Sequence, residues 1–257
     1  MAIGVFDSGI GGITVVKEIR KQLPDEKIIY FGDTKRVPYG GKDKEELINL
    51  SEQIVAFLIR EGADVIIDAC NTTSALALPY LQEKHTVPIV GVLVPGADSA
   101  SKVTKGKVGV MGTEATIKSG CYDVAIKAQE KSTEVVSIHC PKLVGFIEDG
   151  DLNSSYLKRV LRDYLNPLFL ANCDTLVLGC THYPFLSDTI YELIGDSMTL
   201  INPAVAAVNE LKAYESSREG EDICYISGDY HSFYSALTAL YPDHGFEKIV
   251  TYDPIEE

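Results

Sequence analysis

Basic residues are scarce: 23 Lys and Arg stand against 37 Asp and Glu in 257 residues, a formal charge of −14. That deficit argues against non-specific nucleic-acid binding, which needs cations to neutralise phosphates, and against docking on anionic membranes. A small anionic substrate stays open, because backbone N–H groups at a helix start can hold a carboxylate without any lysine. Long apolar runs are missing too. Nothing approaches the roughly 18 to 20 residues of a membrane span. The opening MAIGVFDSGIGG reaches Asp7 with no basic stretch before it, so a secretory signal is not expected. The six cysteines (Cys70, Cys121, Cys140, Cys173, Cys180 and Cys224) form no CxxC pair, which removes a zinc ribbon and a thioredoxin-type motif. No Walker A sequence occurs, and SGIGG supplies Gly9 and Gly11 but Thr14 where the third glycine of GxGxxG belongs. Neither a metal nor a cofactor is expected. A cytoplasmic chain with free thiols is.

What is present is alternation. Short Val, Ile and Leu runs at 3–7, 27–33, 64–69, 88–92, 107–112, 134–140, 174–180, 198–202 and 222–228 read as strands. Between them, segments such as 44–62 and 154–173 carry apolar residues at helical spacing. This pattern predicts α/β architecture with largely parallel sheets covered on both faces. The two halves also overlay. Asp7 to Asp33 is 26 positions and Thr113 to Cys140 is 27; Asp33 to Cys70 is 37 and Cys140 to Cys180 is 40. Asp64 and Asp174 each stand six residues before a cysteine. The expected organisation is two similar domains related by pseudo-twofold symmetry, with a site in the cleft between them. Breaks near Val94-Pro95-Gly96 and Asn202-Pro203 place residues 1–94 plus 205–257 in the first domain and 95–204 in the second.

The duplication puts Cys70, in DVIIDACNTTSA, and Cys180, in DTLVLGCTHYP, at one structural address. Both sit where strands of a parallel sheet end, the usual place for ligands. Each is followed by residues suited to open a helix, whose local dipole would lower a thiol pKa. A strand-end cysteine alone is more often a small buried hydrophobe; two at matched positions shift the balance. Facing each other, two sulfurs could strip a proton from one side of a carbon and return one to the other. Asp7 is the candidate partner of Cys70, and His182 that of Cys180, with Glu148 a weaker auxiliary. Cys180 with His182 could instead form a hydrolase or amidase nucleophile pair, which would leave Cys70 idle. A non-catalytic amino-acid-binding protein is the third class.

FDSGIGG (6–12), GDTKRVPYG (32–40), ACNTTSA (69–75), GTEATIKSG (112–120), CPKLVGFIEDG (140–150) and GCTHYP (179–184) together resemble the cofactor-independent glutamate racemases. The resemblance implies interconversion of L- and D-glutamate for peptidoglycan, two similar α/β domains with the site between them, and a homodimer. It casts Cys70 and Cys180 as proton carriers assisted by Asp7 and His182. It places substrate contacts on Ser8, the Pro38-Tyr39-Gly40 turn, Asn71, Thr72, Thr113, Thr116 and Thr181, with Asp7 and His182 also at the substrate. A racemase of aspartate or another amino acid is the nearest rival. The chain departs from the commoner pattern at Thr73, where Ala is frequent, at Gly145 for Pro, at Asp98 for Arg and at Asn202 for Asp.

Overall fold

The structure, a computed structural model, describes residues 1–214 and 220–256. Among them ten strands form two sheets, every pairing parallel. The first sheet takes β1 (Ala2–Asp7), β2 (Lys27–Gly32), β3 (Val65–Asp68), β4 (Ile89–Gly91), β9 (Ile223–Ile226) and β10 (Lys248–Thr251), in the order β10-β9-β2-β1-β3-β4. The second takes β5 (Lys107–Gly112), β6 (Glu134–His139), β7 (Thr175–Gly179) and β8 (Thr199–Ile201), in the order β6-β5-β7-β8. The α/β class expected from alternation is what folds. β1, β3 and β7 are buried along their whole length, because helices cover both faces of each sheet.

β10 was not among the expected strands. Its Lys-Ile-Val-Thr has only two apolar residues, and as the sheet edge it is half-exposed, so no continuous apolar run marks it.

Four strands of the first sheet, β2-β1-β3-β4, repeat the order of the second, β6-β5-β7-β8. The matched aspartates act alike. The Asp64 amide donates to Ala2 O at 2.8 Å and its carboxylate accepts from Ala2 N, pinning the start of β1. The Asp174 amide donates to Lys107 O at 2.9 Å and its carboxylate accepts from the amides of Lys105 and Lys107, pinning the start of β5.

The chain passes between sheets in two helices, Leu93–Val103 outward and Pro203–Leu211 on return. Residues 94–96 therefore lie inside a helix. Asn202 caps the return helix, its Oδ1 accepting from Ala204 N at 3.1 Å. The two helices touch where a Cβ on Gly96 would stand 2.7 Å from Pro203, so only glycine fits there. This crossing brings the carboxyl ends of both sheets face to face.

Candidate active site

Cys70 lies two residues beyond β3 and directly before the helix Asn71–Leu76. Asp68 builds that turn: its Oδ1 accepts from Cys70 N at 3.2 Å and from Thr73 Oγ1 at 2.5 Å, while Ser74 Oγ donates to its backbone carbonyl. The Cys70 sulfur is buried, 4.0 Å from Ser8 Oγ. Burial pushes its thiol up to about 12, and the nearby Asp7 and Asp68 carboxylates push the same way. The expected lowering by a helix dipole is therefore overturned here. Six residues of helix cannot outweigh full desolvation and two acidic neighbours.

Cys180 follows β7 directly. Thr181 and His182 do not open an α-helix as expected. Tyr183–Leu186 form a single 3-10 turn instead, closed by Tyr183 N on Cys180 O and Phe185 N on His182 O, and the α-helix starts at Ser187. Pro184 has no amide to give a longer-reaching bond. The turn aims His182 back at the sulfur, with Nδ1 3.8 Å from Cys180 Sγ and Nε2 3.2 Å from Glu148 Oε1. Burial alone would lower the imidazole pKa, but the Cys180 sulfur and the Glu148 carboxylate outweigh it and hold the ring up at about 10. His182 is thus an imidazolium at neutral pH.

Asp7, fully buried at the end of β1, reaches across the cleft. Its Oδ2 accepts from Gly9 N at 2.9 Å and its Oδ1 from Thr181 Oγ1 at 3.0 Å. It raises the pKa of Cys70 and of His182 alike through space. Thr14 strengthens the same junction by donating to Thr181 O at 2.9 Å. A Cβ on Gly11 would stand 2.5 Å from His182 Nδ1, so the first turn must be glycine to seat the histidine.

Between the two cysteines lies a cavity of about 360 Å³. It is lined by Ser8, Pro38, Tyr39, Gly40, Cys70, Asn71, Thr72, Thr113, Glu148, Cys180, Thr181 and His182, all singled out in the sequence. Asp7 and Thr116 stand behind the lining. Thr116 Oγ1 reaches Thr113 Oγ1 at 2.9 Å and Thr72 Oγ1 at 3.3 Å, closing a three-hydroxyl cluster across the cleft. Sequence reasoning missed Val37, Pro141 and Val144 as lining and saw Gly145 only as a departure. Val37 lies within GDTKRVPYG and Pro141 and Val144 within CPKLVGFIEDG, which was the available signal. It also missed Tyr122, whose buried hydroxyl donates to Asn71 Oδ1 at 2.6 Å and so turns the Asn71 amide N–H₂ away from itself as a free donor. Among the described residues, no lysine or arginine lines the cavity. An anion inside would be held by neutral hydroxyl and amide donors, with the His182 imidazolium the one positive charge.

The family model for Asp/Glu/hydantoin racemases matches residues 3–211. A glutamate racemase of Geobacter metallireducens is 46% identical over 241 residues, covering 93% of this chain and 88% of the relative. Among solved structures, the glutamate racemase of Francisella tularensis in complex with D-glutamate superposes with a TM-score of 0.91 at 32% identity, over 100% of this chain and 98% of that one. A glutamate racemase isoform of Bacillus anthracis gives 0.92 at 35%, over 98% and 97%.

Proposed function

The chain belongs to the Asp/Glu/hydantoin racemase family, and from that premise we propose that it interconverts L- and D-glutamate by passing protons through Cys70 and Cys180. The observation that carries this reading is one cavity walled by both sulfurs, each supplied by a different sheet. Curated relatives and solved neighbours named glutamate racemases point to the substrate.

In the proposed cycle one cysteine, as thiolate, takes the α-proton and becomes a thiol. The other thiol gives its proton to the opposite face, leaving inverted glutamate and a thiolate on that side. The reverse direction exchanges the roles. The His182 imidazolium supplies the counter-charge for a thiolate at Cys180, and Glu148 holds the ring. Ser8, Asn71, Thr72, Thr113 and Thr181 offer neutral donors to the two substrate carboxylates, so binding does not require a cation that would quench a thiolate. Pro38, Tyr39 and Gly40 close the far wall, and Asp7 and Thr116 hold Thr181, Thr113 and Thr72 in place.

The six free cysteines suit a reducing cytoplasm, where D-glutamate would feed peptidoglycan; no helix among the described residues is long and apolar enough to cross a membrane. A homodimer belongs to the same proposal. The Cys180-His182-Glu148 relay also has the form of a hydrolase nucleophile system, and that second reading predicts a covalent acyl-enzyme.

The deciding experiment is circular dichroism of the protein with pure L- or D-glutamate and no added cofactor, run in deuterated water. Signal should decay to zero from either side, and newly formed enantiomer should carry deuterium at the α-carbon. Inversion with that hydrogen retained excludes the two-base route, and an acyl-enzyme seen by mass spectrometry favours the hydrolase. Decay with aspartate but not with glutamate reassigns the substrate.

A further inference from the structure

The wall made by Pro38, Tyr39 and Gly40 is held from behind by residues beyond the 3–211 stretch that matches the family. Tyr39 OH donates to Asp33 Oδ2 at 2.6 Å. Asp33 is fully buried, and its other oxygen accepts from Ser227 Oγ at 2.6 Å and from Arg36 Nη1 at 2.8 Å. The second Arg36 nitrogen, Nη2, contacts both carboxylate oxygens of Asp253, at 3.0 and 2.8 Å. Lys35 reaches Asp253 at 3.3 Å and Glu256 at 2.5 Å. Asp253 is itself oriented, its Oδ1 accepting from Ile255 N at 3.1 Å. Ile255 then packs against the cluster of Tyr39, Leu47, Leu50 and Cys70. The Tyr252 amide continues the sheet by donating to Ile226 O at 2.9 Å.

The tail therefore grips the 33–40 loop twice, once by charge and once by apolar packing. The charged grip is not an ordinary surface pair. Arg36 and Asp253 are only 16% and 14% exposed, and Arg36 lies between Asp33 and Asp253, so its charge-assisted bonds are directional and weakly screened. Without the Asp253 carboxylate the guanidinium keeps only Asp33 and the exposed, more distant Glu256 at 3.9 Å. Asp33 then keeps fewer donors, and Tyr39 loses a fixed acceptor. A substrate wall that must be ordered when the ligand arrives weakens binding by the cost of that ordering.

We propose that Asp253 is a positioning residue for substrate binding, acting through Arg36 and Asp33 on the Tyr39 wall, so that the carboxy-terminal tail is a working part of the site. The inference rests on the glutamate chemistry proposed above. Its test is Asp253→Asn with Asp253→Glu as the conservative control, read by KM and kcat for both enantiomers and by amide hydrogen exchange. In Asp253→Asn, KM for L- and D-glutamate should rise about tenfold, the loss of one charge-assisted contact, with kcat held within about twofold. Asp253→Glu should recover most of the loss. Exchange should quicken at 34–41 and stay slow in β1 and β3. Unchanged KM, or a fall in kcat that tracks the folded fraction, overturns the proposal. Should Asp253→Asn fail to fold, Arg36→Lys keeps the charge but not the fork, and must show the same rise in KM. A parent protein silent on glutamate sinks the functional reading alone, because the exchange pattern still reports whether the tail holds the loop.

Discussion

Cys70 follows β3 and Cys180 follows β7, strands that pair with β1 and β5 at matching places in the two sheets, yet their surroundings differ in sign. Around Cys70 stand Asp7 and Asp68, and burial with these carboxylates pushes its thiol up to about 12. Beside Cys180 stands His182, held protonated by that sulfur and by Glu148 despite burial. The common backbone address sets where the sulfurs point. Burial and the neighbouring carboxylates favour the thiol at Cys70. In the proposed two-base inversion the pair shares one proton, so the two sulfurs titrate as a unit.

The hardest blow to the comparison is removal of either sulfur. Cys70→Ser and Cys180→Ser should each cut turnover by about a thousandfold or more, the scale of a lost general acid–base group, in both directions. Polarimetry from pure L- and pure D-glutamate checks this. A serine variant with near-parental rate would remove that cysteine from the scheme and leave a single active sulfur.

Next comes the positive charge. His182→Gln should lower turnover by about a hundredfold and change the pH dependence of stability. His182 has its ordinary pKa, 6.5, in the unfolded chain and about 10 in the folded one. Between those values the folded state holds the extra proton, so this group's stabilisation is complete below about 6.5 and is lost as pH rises through 10. Denaturation midpoints of the parent should therefore fall between pH 7 and 10 more steeply than those of His182→Gln. Parallel curves would mean that the ring is neutral. Glu148→Gln keeps a hydrogen-bonding group on His182 but removes the charge. With its carboxylate 39% exposed, screening limits the effect to about tenfold in kcat, with KM little changed; a loss equal to that of His182→Gln would make the carboxylate a full partner.

How much of this asymmetry was legible in the chain follows from which interactions are local. The paired addresses, the α/β class and most of the cavity lining were readable, because strand ends, small polar turns and the motif set are written in consecutive residues. His182 beside Cys180 was readable for the same reason, at two positions' separation. The raised thiol at Cys70 was not. The sequence showed a helix start, but not that desolvation would exceed its dipole. Asp7 was assigned to Cys70 from its place at the end of β1, whereas its carboxylate bonds Thr181, 174 residues away, and so ties the two halves together. Tyr122 on Asn71 and Asp253 on Arg36 are contacts of the same long-range kind. The half-exposed edge strand β10, which carries the tail into place, left too weak an apolar signal to be seen.

Asp68 gives the finest probe of the difference, since nothing equivalent stands before Cys180, where the position belongs to Leu178. Its Oδ1 holds the Cys70 turn through Cys70 N and Thr73 Oγ1, while its Oδ2, fully buried, has no hydrogen-bond partner among the described residues. Burial pushes this carboxyl well above the usual carboxylate range. It works as an acceptor, and its negative charge is a liability in that setting. Asp68→Asn keeps an oxygen for Cys70 and Thr73 and cannot ionise, so turnover should change by no more than about threefold, less than the loss of any general acid–base group. Stability should respond instead. With its folded pKa raised, Asp68 holds a proton that the unfolded chain releases above about 3.9, so the parent loses stability as pH climbs from 4 toward the raised value. Asp68→Asn removes that slope: its thermal midpoint should match the parent near pH 4 and exceed it near pH 7.5. A midpoint lower than the parent's at both pH values would mean that the ionised carboxylate, and not the acid, supports Cys70, and Asp68 would then add its charge to that of Asp7 in the contrast between the two cysteines.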